Sequence, residues 1–261
     1  MRHALTLLSL LTLLVALAAA GSAGANRHSA KATTFKFCTD PTFPPMEYTT
    51  TSGKIIGFDV DMATKLAATW GATAKATKTA FPGLIPALNA KRCDAVISGI
   101  FVTPDRLKQA AAVTYMKSHR VIIVKAGNPK GIHSPNQLKG LVVAVQTGTK
   151  YEDYLKTLKA KIGFTLQGYP GDNDAVGQVL LGRADAVLTQ DTSFAFQAKA
   201  HPGKIAIGFT FGAPDSFGIY YRKADAATLG QEIKDGIAKL KANGALKTIA
   251  AKYKIPAADV K

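Results

Sequence analysis

An arginine stands at the predicted start of a helix, where its charge is unfavourable. Thr103 is a good N-cap residue and Pro104 suits the first helical position, so Arg106 falls in the first turn. A cation there opposes the helix dipole, which favours negative charge at that end. A bound anion would reverse the penalty, because it could accept hydrogen bonds from free backbone N–H groups and from the guanidinium together. The alternative is that Arg106 pairs with a surface acid such as Asp105 or Asp61.

A second predicted helix start offers backbone donors of the same kind. A predicted strand ends before the segment Thr147-Gly148-Thr149-Lys150, and a helix follows from Tyr151. A junction of strand, glycine and helix is a weak signal when it stands alone. Together with Arg106 it predicts a second contact to the same anion from another part of the chain.

Two aromatic side chains are placed by proline-containing loops. Phe43 precedes the pair Pro44-Pro45, and Phe81 precedes Pro82 just before a predicted helix. Two aromatics at strand ends could hold an apolar or planar part of a ligand between them. The alternative is that they pack loops together.

Apolar strands alternate with amphipathic helices along the chain. The predicted strands include 35–39, 95–98, 121–125, 141–146, 165–169, 186–189 and 218–222. The predicted helices include 60–70, 82–90, 134–139, 151–160, 173–181, 226–242 and 246–252. This alternation is typical of an α/β fold with parallel sheets and right-handed crossovers.

One short segment occurs twice in the same context. Arg92-Cys93-Asp94-Ala95-Val96 and Arg183-Ala184-Asp185-Ala186-Val187 each follow a helix and open an apolar strand. The repeat predicts two similar lobes, each a mostly parallel sheet flanked by helices. Ligands of open α/β sheets lie beyond the carboxyl ends of the strands, so two facing lobes would form a binding cleft.

The N-terminus predicts export. Met1-Arg2-His3 is a short positive start, an apolar run follows over 4–20, and Ala23-Gly24-Ala25 fits a cleavage site, so 1–25 is predicted to be a signal peptide. A transmembrane anchor would need a longer apolar run. The net charge is +16, but the lysines are scattered without interleaved aromatics. This pattern indicates a solvated basic surface and no nucleic-acid partner.

The two cysteines, Cys38 and Cys93, are predicted to be free and buried. Export permits a disulfide. Cys38 lies well along one predicted strand and Cys93 at the start of another, so parallel neighbours would hold the two sulfurs at different heights. No histidine or further cysteine stands at a ligand spacing from either, so neither a metal site nor a cofactor is expected.

In family order, eight stretches resemble the extracellular solute-binding proteins of polar amino-acid ABC transporters, family 3, which have the periplasmic binding protein type II fold. The stretches are Cys38-Thr39-Asp40-Pro41-Thr42-Phe43-Pro44-Pro45-Met46-Glu47, Gly57-Phe58-Asp59-Val60-Asp61, Phe81-Pro82-Gly83-Leu84-Ile85-Pro86-Ala87-Leu88, Asp94-Ala95-Val96-Ile97-Ser98-Gly99, Thr103-Pro104-Asp105-Arg106, Leu138-Lys139-Gly140, Val145-Gln146-Thr147-Gly148-Thr149 and Gly182-Arg183-Ala184-Asp185-Ala186-Val187.

The resemblance implies roles for the matching residues. Arg106 would clamp the ligand α-carboxylate, helped by backbone N–H groups near Phe101 and Thr149. The Ser98-Gly99 segment would lie near the α-ammonium, and the two loop aromatics would stack on the ligand side chain. The predicted ligand-binding residues are Asp40, Phe43, Phe81, Ser98, Gly99, Phe101, Thr103, Arg106, Thr149, Lys150, Gln190 and Asp191.

Three positions depart from the family pattern. Gln190 stands where an aspartate commonly holds the α-ammonium, and Asp191, its neighbour, would point to the opposite face of a strand. Phe101 replaces a smaller or polar residue, which would narrow the pocket. Lys150 replaces a threonine or serine and adds a positive charge, which would favour a second acidic group on the ligand.

The implied mechanism is capture by closure of two lobes around the ligand. One lobe would comprise 26–118 and 217–261 and the other 119–216, with two crossings as the hinge. The protein would be a monomer, periplasmic or secreted, and would deliver a polar amino acid or related small carboxylate to an ABC transporter permease. It is not expected to be an enzyme.

Two alternatives remain. One is an enzyme on the same scaffold, similar to cyclohexadienyl dehydratase, for which Asp191, Glu47 and Asp40 are the near candidates for a general acid. The other is a solute sensor or accessory binding protein that passes its bound state to a partner.

Overall fold

The computed structural model describes residues 33–260, so the predicted signal peptide lies outside the described residues. Within this range the strands are β1 Thr34–Thr39, β2 Thr42–Phe43, β3 Glu47–Thr49, β4 Ile55–Ile56, β5 Thr73–Lys78, β6 Ala95–Val96, β7 Ala111–Ser118, β8 Arg120–Lys125, β9 Val142–Gln146, β10 Thr165–Tyr169, β11 Ala186–Gln190, β12 Ile205–Thr210 and β13 Asp215–Tyr221.

The α-helices of the same range are α1 Phe58–Ala68, α2 Leu84–Asn89, α3 Pro104–Gln109, α4 Lys150–Ile162, α5 Asp172–Leu180, α6 Asp191–Ala200, α7 Leu229–Ala242 and α8 Ala245–Lys252. Short 3₁₀ turns occur at Phe81–Gly83, Pro135–Leu138 and Lys223–Asp225. Among these described helices, none has the length and apolar character that a membrane crossing requires.

Two five-stranded sheets with the same plan form the α/β fold that the sequence predicts. The first has the order β5-β1-β6-β13-β7 and the second the order β10-β9-β11-β8-β12. In each sheet the first three strands are parallel and the fourth runs against both of its neighbours. A small sheet of β2, β3 and β4 lies beside them. The prediction of mostly parallel sheets flanked by helices is confirmed.

The repeated sequence segment opens the third strand of each sheet. Asp94 precedes β6, and its Oδ2 atom accepts a 2.8 Å hydrogen bond from the backbone N–H of Lys36 in β1. Asp185 precedes β11, and its Oδ2 atom accepts a 2.9 Å bond from the N–H of Val142 in β9. The same aspartate therefore fixes the start of a central strand in both sheets.

Helices cover both faces of each sheet. In the first sheet, Cys38 and Val96 pack with Leu84 and Leu88 of α2 on one face, while α1 and α7 cover the other. In the second sheet, α5 packs against β9 and β11 on one face and α4 against β9 and β10 on the other. Buried apolar surface of this kind is the main stabilising term for both sheets.

The chain crosses between the sheets at two neighbouring places. It leaves the first sheet at Ser118, the end of β7, and enters the second at Arg120, the start of β8. It returns between Thr210 and Asp215, and Asp215 pairs with Ser118. The lobe boundaries given above stay a prediction.

Cys38 and Cys93 form a disulfide, so the prediction of two free thiols is wrong. That prediction assumed that Cys93 continues the line of the strand that opens at Ala95. β6 does begin at Ala95 and pairs there with Phe37, but Cys93 lies before it. Cys93 lies in the turn after α2, where Lys91 has a φ of 57°, and the chain there departs from the strand direction. The two Cα atoms are consequently 5.7 Å apart, within the range that a disulfide requires.

Removal of this disulfide is expected to destabilise the protein. A Cys38→Ala/Cys93→Ala variant frees a loop with a sequence separation of 55 residues in the unfolded chain. We expect its free energy of unfolding to fall by about 2–4 kcal/mol, because the unfolded state regains conformational entropy. Urea unfolding of both proteins, with and without reductant, measures the loss. Equal urea midpoints for the variant and the oxidised protein would contradict the assignment.

Candidate ligand-binding site

A small cavity lies between the two sheets, at the carboxyl ends of their strands. Its volume is about 20 Å³, which is room for about one water molecule. The first sheet and its loops contribute Phe43, Phe81, Gly99, Phe101 and Arg106. The second sheet and its helices contribute Gln146, Thr149, Lys150, Tyr151, Asp172, Thr189 and Gln190. This is the place where open α/β sheets bind ligands.

Arg106 enters the cavity from the first turn of α3. Thr103 caps this helix as predicted, since its Oγ1 atom accepts a 3.3 Å hydrogen bond from the N–H of Arg106. The guanidinium is half-buried, donates from Nη1 to the Phe101 carbonyl at 3.0 Å, and lies 5.5 Å from the centre of the Phe81 ring. Burial lowers the pKa of the Arg106 guanidinium, although an arginine still stays charged in proteins.

No carboxylate of the described residues lies within ion-pair distance of Arg106. Asp105 pairs with Lys108 at 2.9 Å, and Asp61 pairs with Lys252 at 2.6 Å. The two acids that could have neutralised Arg106 as a surface residue are thus engaged elsewhere.

The start of α4 faces the same cavity from the second sheet. Thr149 is its N-cap, accepting a 3.2 Å hydrogen bond from the N–H of Glu152 and donating to the carbonyl of Gln146 at 2.7 Å. Gly148 has a φ of 74°, and a Cβ atom there would lie 2.6 Å from Cγ of Pro82, in the turn before α2. Only glycine permits this close approach.

Aromatic rings form the apolar wall. Phe101 stacks on Phe217 with ring centres 5.0 Å apart and meets Tyr151 of α4 edge-on at 5.5 Å, so it joins the two sides of the cavity. Phe43 lies over Gly99, where a Cβ atom would come within 2.5 Å of its ring. Phe101 is buried and lines the cavity.

Hydrogen bonds hold the two sides together beside the cavity. The Gln146 side chain, at the end of β9, donates from Nε2 to Oδ2 of Asp40 at 2.8 Å. Asp40 Oδ2 also accepts a 3.2 Å bond from the N–H of Phe81, and the N–H of Asp172 donates to Oγ1 of Thr42 at 3.4 Å. This is a closed arrangement, with direct contacts across the cleft.

Four predicted site residues do not line the cavity: Asp40, Ser98, Thr103 and Asp191. Thr103 caps α3, and Asp40 joins the two sides as described. The Ser98 hydroxyl donates to Glu47 and accepts from the N–H of Asp40, both at 2.9 Å. These residues support the cavity wall from behind.

Asp191 points to the crossing between the sheets, and Gln190 points into the cavity. Asp191 accepts hydrogen bonds from the Ser118 hydroxyl at 2.6 Å and from the N–H of His119 at 3.2 Å. Gln190 is the last residue of β11 and is buried in the cavity wall. Asp191 therefore does not replace the strand-end aspartate of the family pattern.

The sequence interpretation missed four cavity residues: Gln146, Tyr151, Asp172 and Thr189. Gln146 and Thr189 lie at strand ends, which was an available signal. Asp172 and Tyr151 lie in the first turns of α5 and α4, and only the fold brings them together.

A larger cavity of about 920 Å³ lies between the β3–β4 hairpin, α1, α6 and the residues after α8. Its walls are mainly apolar, and its two acids are already bonded, Asp61 to Lys252 and Asp191 to Ser118. We take the smaller cavity as the site because unpaired charged and buried polar groups converge there.

Comparison with known proteins identifies the family. The family of bacterial extracellular solute-binding proteins, family 3, matches residues 35–256. The chain belongs to this family.

Individual proteins also match this chain over most of their length. The L-cystine-binding protein TcyJ of Escherichia coli (strain K12) is 30% identical over 214 residues, covering 81% of this chain and 79% of TcyJ. The structure of an ancestral arginine-binding protein bound to arginine is 30% identical with a TM-score of 0.80, covering 84% of this chain and 97% of that one. The ancestral amino acid-binding protein AncCDT-1, a precursor of cyclohexadienyl dehydratase, is 29% identical with a TM-score of 0.78, covering 84% and 95%.

A buried carboxyl pair supports the cavity of this family 3 protein. Asp59 Oδ2 accepts hydrogen bonds from the N–H of Gly99 at 2.7 Å and from the Tyr115 hydroxyl at 2.9 Å. Burial raises the pKa of Asp59 to about 6, and burial together with the nearby charge of Asp59 raises the pKa of Glu47 well above its ordinary value. Glu47 therefore holds the proton that lets both groups stay buried.

Stability of the ligand-free protein is expected to fall between pH 5 and pH 7. Burial raises the pKa of Asp40, Asp59 and Asp172 from 3.8 to about 6. In this range the folded state holds protons that the unfolded chain has released. The stabilisation that these protonated carboxyls contribute is therefore present at low pH and is lost as the pH rises through about 6. We expect the melting temperature to fall by at least about 2–4 °C, measured by calorimetry.

A Glu47→Gln variant, which fixes the neutral form of Glu47, should show a weaker dependence on pH. Asp235→Asn, a change to an exposed acid of α7, serves as the control and should leave the dependence as it is. A melting temperature that rises from pH 5 to pH 7 in the unmodified protein would contradict the burial of these carboxyls.

Proposed function

We propose that this protein is the substrate-binding component of an ABC transporter and captures an amino acid through its carboxylate. The observation that carries the proposal is Arg106, a half-buried guanidinium on the cavity wall without an acidic partner among the described residues. Removing a cation from water is costly unless an anion compensates it. A ligand carboxylate supplies that anion with two parallel hydrogen bonds.

Two further groups favour an anion at the same position. The N-terminus of α4, a helix of 13 residues, presents its first backbone N–H groups and the positive end of its dipole to the cavity. Lys150, the first residue of that helix, adds a positive charge. Because Arg106 belongs to the first lobe and α4 to the second, one carboxylate would hold both lobes.

Closure of the lobes follows because the proposed ligand contacts come from both of them. A ligand that touches both lobes binds the closed form more strongly than the open form, and only such a difference can shift the equilibrium between them. The hydrogen bond from Gln146 to Asp40 and the contact of Phe101 with Tyr151 add to the closed form. The lobes would be 26–118 with 217–261, and 119–216, with the two crossings as the hinge.

Similarity to known amino acid-binding proteins supports the proposed ligand and location. TcyJ is named for cystine and the ancestral structure for arginine, which supports an amino acid as the ligand here. The protein would act in the periplasm after cleavage near Ala25 and pass its closed, loaded form to a membrane permease.

An enzymatic role is less well supported. Of the three acids considered as a general acid, Glu47 and Asp40 lie behind the cavity wall and Asp191 lies at the crossing. AncCDT-1, whose name links this scaffold to a dehydratase, is itself an amino acid-binding protein. Binding is therefore the function that the cavity supports.

Arg106→Ala is expected to abolish the stabilisation by amino acids. In the refolded protein, the right amino acid raises the melting temperature because it binds only the folded state. Loss of one partner of a buried charge pair costs about 2–5 kcal/mol, which weakens binding by about 30-fold or more. A thermal-shift screen of the amino acids and small organic acids, followed by calorimetric titration, measures both effects.

Lys108→Ala is the matched control for this experiment. Lys108 lies on the same helix and is exposed, and its ammonium group pairs with Asp105. The control should bind like the unmodified protein. Full binding by Arg106→Ala, or no response of the unmodified protein to any amino acid, would overturn the proposed function.

A further inference from the structure

Asp172 is a buried carboxylate in the wall of the cavity. It is the first residue of α5, and 4% of its surface is exposed. Its two oxygens accept hydrogen bonds from hydroxyl groups: Oδ1 from Thr189 and Oδ2 from Ser193, the latter at 2.6 Å. These bonds aim and hold the carboxylate at the carboxyl end of β11.

No lysine, arginine or histidine of the described residues pairs with Asp172. The hydroxyl groups and the first turn of α5 favour its ionised form. Burial nevertheless raises its pKa to about 6, and the negative charge of Asp40 adds to this. At neutral pH the cavity wall therefore carries a negative charge that is not ion-paired within the described residues, just as it carries the Arg106 guanidinium with no ion-paired carboxylate.

An unpaired amide oxygen lies in the same wall. The Oε1 atom of Gln190 is buried and has no hydrogen-bond partner of normal geometry in the described part of the chain. The buried hydroxyl of Tyr151 likewise has no hydrogen-bond partner of normal geometry in the described part of the chain. Burial raises the pKa of Tyr151, and the nearby side-chain amide of Gln190 partly offsets that rise. Unpaired buried acceptors are rare, because each costs the loss of its water.

We propose that Asp172 and the Oε1 atom of Gln190 together bind the ammonium group of the ligand. This inference rests on the proposed function, because it places the ammonium of the same molecule whose carboxylate contacts Arg106. It assigns the ammonium to a residue of the α5 first turn in place of the strand-end aspartate common in the family. The ligand class is then a zwitterionic α-amino acid with a free amino group.

The charges of the cavity favour an amino acid as the ligand over an organic acid that has no amino group. An acid without an amino group would neutralise Arg106 but would leave Asp172 buried without a cation and would add a second negative charge near it. An amino acid compensates both charges and gives the Gln190 oxygen a donor. Sites built to hydrogen-bond a group discriminate strongly against analogues that lack it, because their own buried polar atoms are then left unpaired.

The test compares amino acids with analogues that lack the amino group. The probes are L-arginine, L-glutamine and L-glutamate, paired with 5-guanidinopentanoate, glutaramate and glutarate. Calorimetric titration of the refolded protein gives the ratio of the two dissociation constants for whichever pair contains the better-binding amino acid. We expect a ratio of about 30 or more in the unmodified protein. A ratio near one would overturn the inference.

Asp172→Asn keeps the shape of the side chain and removes its charge. We expect it to weaken binding of the amino acid by about 30-fold or more and binding of the des-amino analogue by less than about threefold, so that the ratio collapses. The matched control is Asp174→Asn, an exposed acid in the same first turn of α5, which should keep the full ratio. A full ratio in folded Asp172→Asn would overturn the inference.

A second variant covers the case in which Asp172→Asn does not fold. Gln190→Leu removes the amide oxygen without removing a charge, and we expect it to lower the ratio by about fivefold or more. An unchanged ratio in this variant would overturn the part assigned to Gln190. The two hypotheses fail differently: amino acids that bind and depend on Arg106 but do not discriminate contradict only this inference. The absence of any amino-acid binding contradicts the proposed function itself.

Discussion

The arrangement of the cleft depends on two charges that are buried without an ion-pair partner among residues 33–260. Within that range, Arg106 is half-buried with no acid at ion-pair distance, and Asp172 is buried with no cation at ion-pair distance. Each would be far more stable in water. A protein can retain such groups where a bound ligand supplies the opposite charges. This protein holds both groups on the wall of a single cavity between two sheets.

The rest of the structure holds these charges in place. Thr103 fixes the start of α3, and the Asp59–Glu47 pair holds the backbone of Gly99 from behind. In the second sheet, Thr189 and Ser193 orient Asp172. Because the two charges belong to different sheets, binding and closure are one event in this account, with the crossings near Ser118 and Asp215 as the hinge.

The sequence predicted the features that depend on local rules. The cap at Thr103, the helix start after Thr149 and the repeated Asp94 and Asp185 segments are all present, because capping and strand alternation act over a few residues. The disulfide was missed for the opposite reason: it depends on the path of the chain between α2 and β6, where Cys93 lies outside the strand, and no local rule specifies that path.

Asp172 shows what the sequence could not supply. In the sequence it is one of several acids at a helix start, where acids are common. Its importance comes from burial, from the hydroxyl of Thr189 in another element and from the lack of an ion-paired cation in the part of the chain that the structure describes. All three are tertiary properties. The departure at Gln190, by contrast, was visible in the sequence, and the structure shows that Asp191 does not compensate for it.

The most direct test of this account is a crystal structure of the refolded protein with the amino acid that raises its melting temperature most. We expect the ligand in the cavity between the sheets, with its carboxylate bonded to the Arg106 guanidinium and to the backbone N–H groups at the start of α4. A ligand whose carboxylate lies away from Arg106, or one bound in the larger cavity beside α6, would contradict it.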